Sequence, residues 1–272
     1  MIRVTSESKR SFAQMTIDDV EKGDFPRYLY KYRAPNEFTK NIVRNNALYY
    51  PTPLTFNDPF DCQIRLSTDS TYKQIVAYLR RNNTDLVSAE IKRQANHWFK
   101  NPRLFDRIIN ESARESFNNN GVSCFTSDPT SILMWSHYAD SHKGICMKFD
   151  VLADPSAFFA GYKVNYEVEY PIWNHVRSDT GQSVTNLLTT KAKQWEYEQE
   201  YRVLKIGDPG NHSFAPSALV EIIFGLRCAA DYIDDVKRLT NNSRTGHVAF
   251  SRTVTAANRF ALELRPIPRA GK

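Results

Sequence analysis

Short segments with strand character recur along most of this 272-residue chain, whereas residues 69–118 show only helical spacing. Tyr28–Arg33 and Gly121–Thr126 are rich in aromatic or β-branched residues, which is typical of strands. The polar and basic stretch 69–118 predicts two or three helices. Many short strands with helices grouped in one insert, at about residues 67–120, indicate an α+β fold with a mixed or antiparallel sheet core.

The remaining pattern predicts a flexible lead-in over residues 1–26, followed by a single domain over 27–272. A helix is predicted after Pro35 and closes at Asn45–Asn46. A second is predicted after Asp128, with Asp128 as its N-cap and Pro129 at its first position. Further predicted elements are a helix at about 183–193, strands at 48–50, 145–149, 162–170 and 219–225, and a final strand or hairpin within 247–268.

Composition narrows the class of protein. With 41% hydrophobic and 24% charged residues, the chain reads as an ordinary soluble globular protein, and no apolar run approaches the length of a membrane span. The polar N-terminus predicts no secretory signal. Four cysteines without C-x-x-C spacing predict reduced core thiols in the cytoplasm and no metal site. The net charge of +6 permits a nucleic acid or phosphate-rich partner.

The stretch Lys191–Leu204 carries the strongest functional signal. On an extended strand, its Glu196, Glu198, Glu200 and Arg202 would share one face, with aromatic residues between them. Carboxylates this close raise one another's pKa, which suits acid–base or cation-stabilising chemistry. A solvated edge strand, or a helix with a Glu198–Arg202 pair, explains the same spacing.

Other candidates also have two interpretations. In Met134–Ala139, His137 is either a catalytic group or a structural histidine, and Trp135 is either a stacking wall or a core residue. Asn57 and Asp58 lie in a stiff polar loop, which serves turn chemistry or ligand binding. Lys31 and Arg33 are either a clamp for phosphate or carboxylate, or a strand end that faces water.

Several common nucleotide and hydrolase motifs are missing from the sequence. It contains no G-x-x-x-x-G-K-[ST], no G-x-G-x-x-G and no G-x-S-x-G, and only 10 glycines in total. A glycine loop that cradles phosphate is therefore disfavoured, as are the usual kinase, nucleotidase and hydrolase functions.

Seven short motifs occur together in a fixed order. They are LYKYR at 29–33, LYYPTP at 48–53, FNDPFDC at 56–62, SCFTS at 123–127, MWSHYA at 134–139, HKGIC at 142–146 and WEYEQEYR at 195–202. This combination resembles a bacterial family known as domain of unknown function 2971. The resemblance runs from about residue 28 to 228 and beyond, with 69–118 as its variable part, and implies no activity.

The order of a basic or aromatic first strand, a Phe-Thr-Ser strand and a late Glu-x-Glu also resembles the ADP-ribosyltransferase layout. The resemblance implies NAD as substrate, with Glu200 as the transition-state carboxylate and Glu198 on the acceptor side. It implies that Thr126 and Ser127 hold the ribose, and that Arg33 or Tyr32 anchors NAD. Thr126-Ser127 is a shortened form of that superfamily's Ser-Thr-Ser pattern.

The resulting expectation is an NAD-using, ADP-ribosyltransferase-like protein of bacterial defence or of a toxin system. Arg33, Asn57, Asp58, Trp135 and His137 would line its cleft with the two glutamates. The acceptor would be a protein or a nucleic acid. Two alternatives stay open: a non-enzymatic module that senses a nucleotide or small anion, and a nucleic-acid binder that uses the basic helices of 69–118.

Overall fold

The computed structural model describes residues 6–62, 66–178, 180–242 and 244–269. The chain forms two compact units where the sequence indicated one domain. The first consists of Met1–Pro51, Gly121–Val164 and Gln194–Lys272. The second consists of Thr52–Asn120 and Asn165–Lys193, so it contains the predicted insert together with a later segment.

The described α-helices are α1 (Ser6–Lys22), α2 (Glu37–Asn45), α3 (Tyr72–Asn82), α4 (Ser88–Lys100), α5 (Pro102–Phe117), α6 (Ile132–Tyr138), α7 (Thr180–Leu188) and α8 (Ala230–Leu239). Short 3-10 helices cover Pro53–Thr55, Val151–Ala153, Lys193–Glu198 and Pro216–Ala218. The strands are β1 (Tyr28–Arg33), β2 (Ala47–Tyr50), β3 (Leu66–Ser67), β4 (Gly121–Thr126), β5 (Ile145–Asp150), β6 (Gly161–Lys163), β7 (Asn165–Glu167), β8 (Trp173–Asn174), β9 (Thr190–Ala192), β10 (Glu200–Lys205), β11 (Gly210–Ser213), β12 (Leu219–Phe224), β13 (Ala249–Thr255) and β14 (Leu262–Pro266).

The first unit is built on an eight-stranded sheet in the order β14-β13-β12-β5-β1-β4-β10-β6. Only β12 and β13 pair in parallel in this sheet, and the other neighbours are antiparallel. A mixed sheet combined with helices confirms the predicted α+β class. The strands predicted at 28–33 and 121–126 have the bounds of β1 and β4.

The two faces of this sheet differ because side chains alternate along each strand. Leu29 of β1 and Phe149 of β5 pack in the main apolar core. Helices α2 and α8 contribute Ile42, Val43, Ile233 and Val236 to this core. Tyr30 and Tyr32 of β1 point the other way, into a smaller cluster that contains Trp135 of α6. The central strands are therefore covered on both faces.

Helix α1 occupies most of the segment predicted as a flexible lead-in. Phe12 stacks on Phe159 with ring centroids 4.2 Å apart, Thr16 is buried, and Val20 packs on the main core. Residues spaced by four lie on one helical face, so a single narrow stripe anchors an otherwise polar helix. Because most of the segment is polar, this stripe was not predicted from the sequence.

The helix after β4 begins later than predicted. Ser131, not Asp128, is the N-cap of α6, because its hydroxyl accepts a hydrogen bond from the Met134 backbone N–H. Asp128 instead accepts hydrogen bonds from the backbone N–H and the hydroxyl of Thr130. The aspartate thus closes a turn between strand and helix, which competes with capping for the same oxygen.

The glutamate-rich stretch is not one continuous strand. Lys193–Glu198 forms a 3-10 helix, Gln199 has a left-handed φ of 45°, and β10 starts at Glu200. Only Glu200 and Arg202 share a strand face, and Glu196 is exposed. The predicted helix at 183–193 ends earlier, at Leu188, and the predicted strand at 162–170 is divided between β6 and β7.

Residues 69–118, for which two or three helices were predicted, form α3, α4 and α5 of the second unit. Their buried side chains form a separate apolar cluster that includes Ile75, Ile91 and Phe105. The strand pairs β3–β8 and β7–β9 are both parallel and short.

Gly144 provides a test of the packing at the start of β5. A Cβ at this position would lie 2.1 Å from the carbonyl oxygen of Arg33, so backbone would have to move. We expect Gly144→Ala to lower the free energy of unfolding by about 3 kcal/mol. Gly207→Ala is the control, because a Cβ there meets no described atom within 4 Å and only its φ of +70° opposes it.

That control should cost about 1 kcal/mol. Urea unfolding followed by circular dichroism measures both variants. Equal losses would contradict the close approach of Gly144 to β1.

Candidate active site

Polar side chains from three neighbouring strands meet on the sheet face that carries Tyr30 and Tyr32. Glu200 of β10 is in register with Thr126 of β4, and Thr126 is in register with Tyr30 of β1. Directly paired residues project from the same face of a sheet. Glu200, Thr126 and Tyr30 therefore form one row.

Glu200 is held by a buried ion pair. Its Oε1 accepts from the Arg202 Nε at 2.8 Å and its Oε2 from Nη2 at 3.2 Å. Glu200 is 2% exposed and Arg202 is fully buried. Burial raises the pKa of the neighbouring Cys124 thiol, and the Glu200 charge raises it further, so this thiol stays protonated beside the carboxylate. The fork of Arg202 thus fixes the plane of the Glu200 carboxylate.

Glu198 is a second buried carboxylate, also 2% exposed. The Tyr138 hydroxyl of α6 donates to its Oε1 at 2.5 Å. Tyr138 packs in the same cluster as Tyr30 and Tyr32, which places Glu198 on the Glu200 side of the sheet. The left-handed Gln199 between them lets the chain turn from the 3-10 helix into β10.

Half-exposed and exposed groups lie next to these carboxylates. Nδ1 of the exposed His137 is 2.9 Å from the Tyr197 hydroxyl. The Ser127 hydroxyl donates to the Gln199 side-chain oxygen at 3.2 Å. His137 and Ser127 therefore contact the residues directly before and after Glu198.

Three residues that were predicted to contact NAD, namely Tyr32, Thr126 and Trp135, are buried and offer little surface to a ligand. Trp135 is fully buried, donates its indole N–H to the Pro129 carbonyl at 2.9 Å and meets Tyr32 edge to face. The Tyr32 hydroxyl donates to the Asp128 carbonyl at 2.9 Å. The Thr126 hydroxyl accepts from the Asp128 N–H at 3.1 Å. All three side chains bond to the backbone of the 127–131 loop. The full burial of Trp135 corrects its predicted role as an aromatic surface on which a base stacks.

Arg33 does not join this group. Alternation along β1 places it with Leu29 and Lys31, on the face opposite to Tyr30, Tyr32 and Glu200. The single cleft predicted to contain both Arg33 and Glu200 is therefore wrong, because the two residues lie on opposite faces of the sheet.

Asn57 and Asp58 belong to the second unit and are described within it. Asp58 Oδ1 accepts from the Phe60 N–H at 2.9 Å, and the Asp58 carbonyl accepts from the Asp61 N–H. Asn57 is exposed. The turn interpretation accounts for Asp58, since an aspartate bonded to the backbone two residues on is a standard turn device.

Lys31 is half-buried, and its ammonium group is bonded within the structure. Its ammonium group donates to the Ser123 hydroxyl and the Cys124 carbonyl, both at 2.9 Å, and lies 4.9 Å from the Phe125 ring centroid. Burial, with a smaller contribution from Arg33, lowers its pKa to about 8.

The polar row continues beyond Tyr30, onto residues that the sequence interpretation missed. Lys148 of β5 is in register with Tyr30 and with Glu221 of β12. Its ammonium lies 4.2 Å from the Tyr28 ring centroid and 3.8 Å from Glu221, which accepts from the Ser251 hydroxyl at 2.6 Å. Alternation within β5 and β12 is the signal that could have revealed this row, because Lys148 and Glu221 each lie between apolar neighbours.

Comparison with known proteins supports the family and nothing finer. The family described as protein of unknown function (DUF2971) matches residues 134–203, and this match supports over that segment the resemblance predicted from the motif order. The matched segment runs from α6 through Glu198 and Glu200 to β10. No curated protein and no solved structure gives a significant match.

Within the described part of the chain, no group of three or more histidine, cysteine, aspartate or glutamate residues is arranged to hold a metal ion. No described helix is long and apolar enough to cross a membrane.

The Glu200–Arg202 pair should control stability. Arg202→Met leaves a buried carboxylate without its cation, and we expect a loss of about 3 kcal/mol in the free energy of unfolding. Glu200→Leu combined with Arg202→Met should recover most of this loss, because both charges of the pair are then absent. Urea unfolding measures both, with the exposed Arg265→Met of β14 as a control expected to change little.

If the double variant is as unstable as Arg202→Met, the loss comes from packing and not from the unpaired charge.

The lowered pKa of Lys31 predicts a pH dependence with a definite sign. Its folded pKa of about 8 lies below the ordinary 10.5, so between these values the unfolded state binds more protons. Stability due to this group therefore rises with pH above about 8. Relative to Lys31→Met, the wild type should gain about 2 kcal/mol between pH 7 and pH 10.

Unfolding curves of both proteins across this range provide the measurement, and other titrating groups cancel in the difference. Parallel pH profiles would show that the Lys31 ammonium is solvated.

Proposed function

We propose that this protein transfers ADP-ribose from NAD to an acceptor and that Glu198 and Glu200 are its catalytic carboxylates. The observation that carries the proposal is two buried carboxylates on one sheet face, each held by a different partner. Arg202 holds Glu200, and Tyr138 holds Glu198. Buried carboxylates with dedicated partners are typical of sites that stabilise a cation or move a proton.

The chemistry would proceed at the anomeric carbon of the nicotinamide ribose. Its bond to the nicotinamide nitrogen breaks, the electron pair leaves with nicotinamide, and an oxocarbenium-like cation develops. Glu200, fixed by Arg202, would stabilise this cation. Glu198 would accept the proton that the acceptor nucleophile loses as it bonds to the ribose carbon. His137 is placed to hold the Tyr197 segment in position.

The binding face would extend along the polar row. Lys148 offers a cation for a pyrophosphate group, and Tyr28 and Tyr30 offer aromatic surface on the same face. Burial, with smaller contributions from Cys146 and Glu221, raises the pKa of Tyr30 to about 12, so its hydroxyl remains a donor at neutral pH. The Ser127 hydroxyl would contact the ribose. This arrangement needs no glycine loop, in keeping with the sequence.

The proposed setting is the cytoplasm of a bacterium, in defence or in a toxin system, with a protein or a nucleic acid as acceptor. All four cysteines lie in the described residues and form no disulfide there, which suits a reducing compartment.

A turnover assay should distinguish the two buried glutamates, Glu198 and Glu200, from the exposed Glu196. Purified protein is incubated with NAD labelled in the nicotinamide, together with candidate protein and nucleic acid acceptors. We expect Glu200→Gln and Glu198→Gln to lower nicotinamide release by about 100-fold or more, because each removes charge at the reacting carbon or its acceptor. Glu196→Gln is the matched control, since Glu196 is exposed in the same segment, and should retain wild-type turnover.

Wild-type turnover in both buried-site variants would reject the assignment. NAD binding without nicotinamide release would instead support the non-enzymatic nucleotide-binding alternative. Nucleic acid affinity that falls steeply with salt, and that depends on the exposed Lys73, Arg80 and Lys92, would support the nucleic-acid-binding alternative.

A further inference from the structure

Arg33 is a largely buried guanidinium that lacks a counter-ion. It ends β1 on the main-core face, beside the apolar Ile145 and Phe224, which share its register. Among the described residues, its Nε has no hydrogen-bond partner and its guanidinium forms no ion pair. Burial lowers its pKa, yet arginine remains charged in proteins. A desolvated Nε–H donor without a partner is costly unless a ligand completes it.

Tyr232 of α8 is a second buried donor at the same place. Its hydroxyl also lacks a hydrogen-bond partner among the described residues. Tyr232 and Arg33 are electrostatic neighbours of one another. Burial raises the pKa of Tyr232, so the phenol stays protonated and can donate. Two unsatisfied donors, one of them charged, therefore lie close together on this face.

The nearby carboxylates are already engaged. Lys40 of α2 contacts Glu37 at 3.0 Å and Asp235 at 2.8 Å, and its ammonium lies 5.4 Å from the Tyr232 ring centroid. These acids neutralise Lys40 and form no ion pair with Arg33 in the described part of the chain. The charge of Arg33 is thus left for a ligand from solution.

The order of strands and helices adds an electrostatic field that favours an anion at this end of the sheet. β1 and β12 both pair antiparallel with β5, so they run in the same direction. β1 leads into α2 and β12 leads into α8, and both helices begin at the end where Arg33 lies. Helix N-termini favour anions, and α8 begins without a side-chain cap.

We propose that Arg33 and Tyr232 bind a phosphate group, as inorganic phosphate or as part of a nucleotide, on the sheet face opposite to Glu198 and Glu200. The guanidinium Nε–H and the phenolic O–H would donate to phosphate oxygens, which satisfies both buried donors. This site is separate from the carboxylate site and does not depend on the proposed transferase activity.

Calorimetric titration with inorganic phosphate at low ionic strength tests the proposal. The wild type should bind saturably, and Arg33→Met should weaken binding about tenfold or more, because a charge-assisted hydrogen bond is lost. Tyr232→Phe removes only the hydroxyl and should weaken binding several-fold. Arg265→Met makes the same change of charge at an exposed position of the sheet and should bind as the wild type does.

Glu200→Gln separates the two proposals. It should bind phosphate normally even where nicotinamide release is lost. If Arg33→Met fails to fold, Tyr232→Phe still decides the question, because phenylalanine fills nearly the same volume.

Competition identifies the source of the phosphate. Displacement of inorganic phosphate by ADP-ribose in the wild type, absent in Arg33→Met, would assign a nucleotide phosphate, and no displacement would assign free phosphate. No saturable binding by the wild type, or unchanged binding in both Arg33→Met and Tyr232→Phe, would overturn the site and leave Arg33 a structural cation.

Discussion

The alternation of side chains along β1, β4 and β10 is the constraint on which the first unit depends. It sends Leu29, Phe125 and Val203 into the main core and leaves Tyr30, Thr126 and Glu200 on the other face. Because the core face is apolar and large, register is fixed, since a one-residue slip would bury the polar row among aliphatic side chains. The same alternation explains why Arg33 and Glu200 cannot act on one small ligand, although both come from motifs of the same family pattern.

Two cationic side chains of this sheet, Arg202 and Lys31, are stabilised by different kinds of partner. Arg202 is paired with Glu200 within its own strand through two hydrogen bonds to the carboxylate. Lys31 relies on a hydroxyl, a carbonyl and an aromatic ring, and its pKa falls because these neutral groups replace water incompletely. Burial alone therefore does not mark a site. What a buried charge contacts decides whether it is structural or functional.

Local pattern was sufficient for much of the fold. The aromatic run of β1, the bounds of β4 and the three helices of residues 69–118 follow from spacing and turn residues alone. Elements that depend on distant contacts were misread. α1 is anchored through Phe12 and Phe159, which are far apart in sequence. For the candidate site, the sequence pointed to Glu198 and Glu200 but not to Tyr138, because its contact with Glu198 joins residues 60 positions apart.

The left-handed backbone of Gln199 restricts which sequences can preserve this arrangement. A Glu-x-Glu pair on a plain strand tolerates any β-forming residue at its centre, and valine or isoleucine would be favoured there. Here the central residue has a φ of 45°, which glutamine adopts in this chain, which glycine, asparagine and aspartate adopt more readily, and which β-branched residues oppose. A valine or isoleucine at this one position would therefore oppose the turn that separates the two glutamates and favour an ordinary strand.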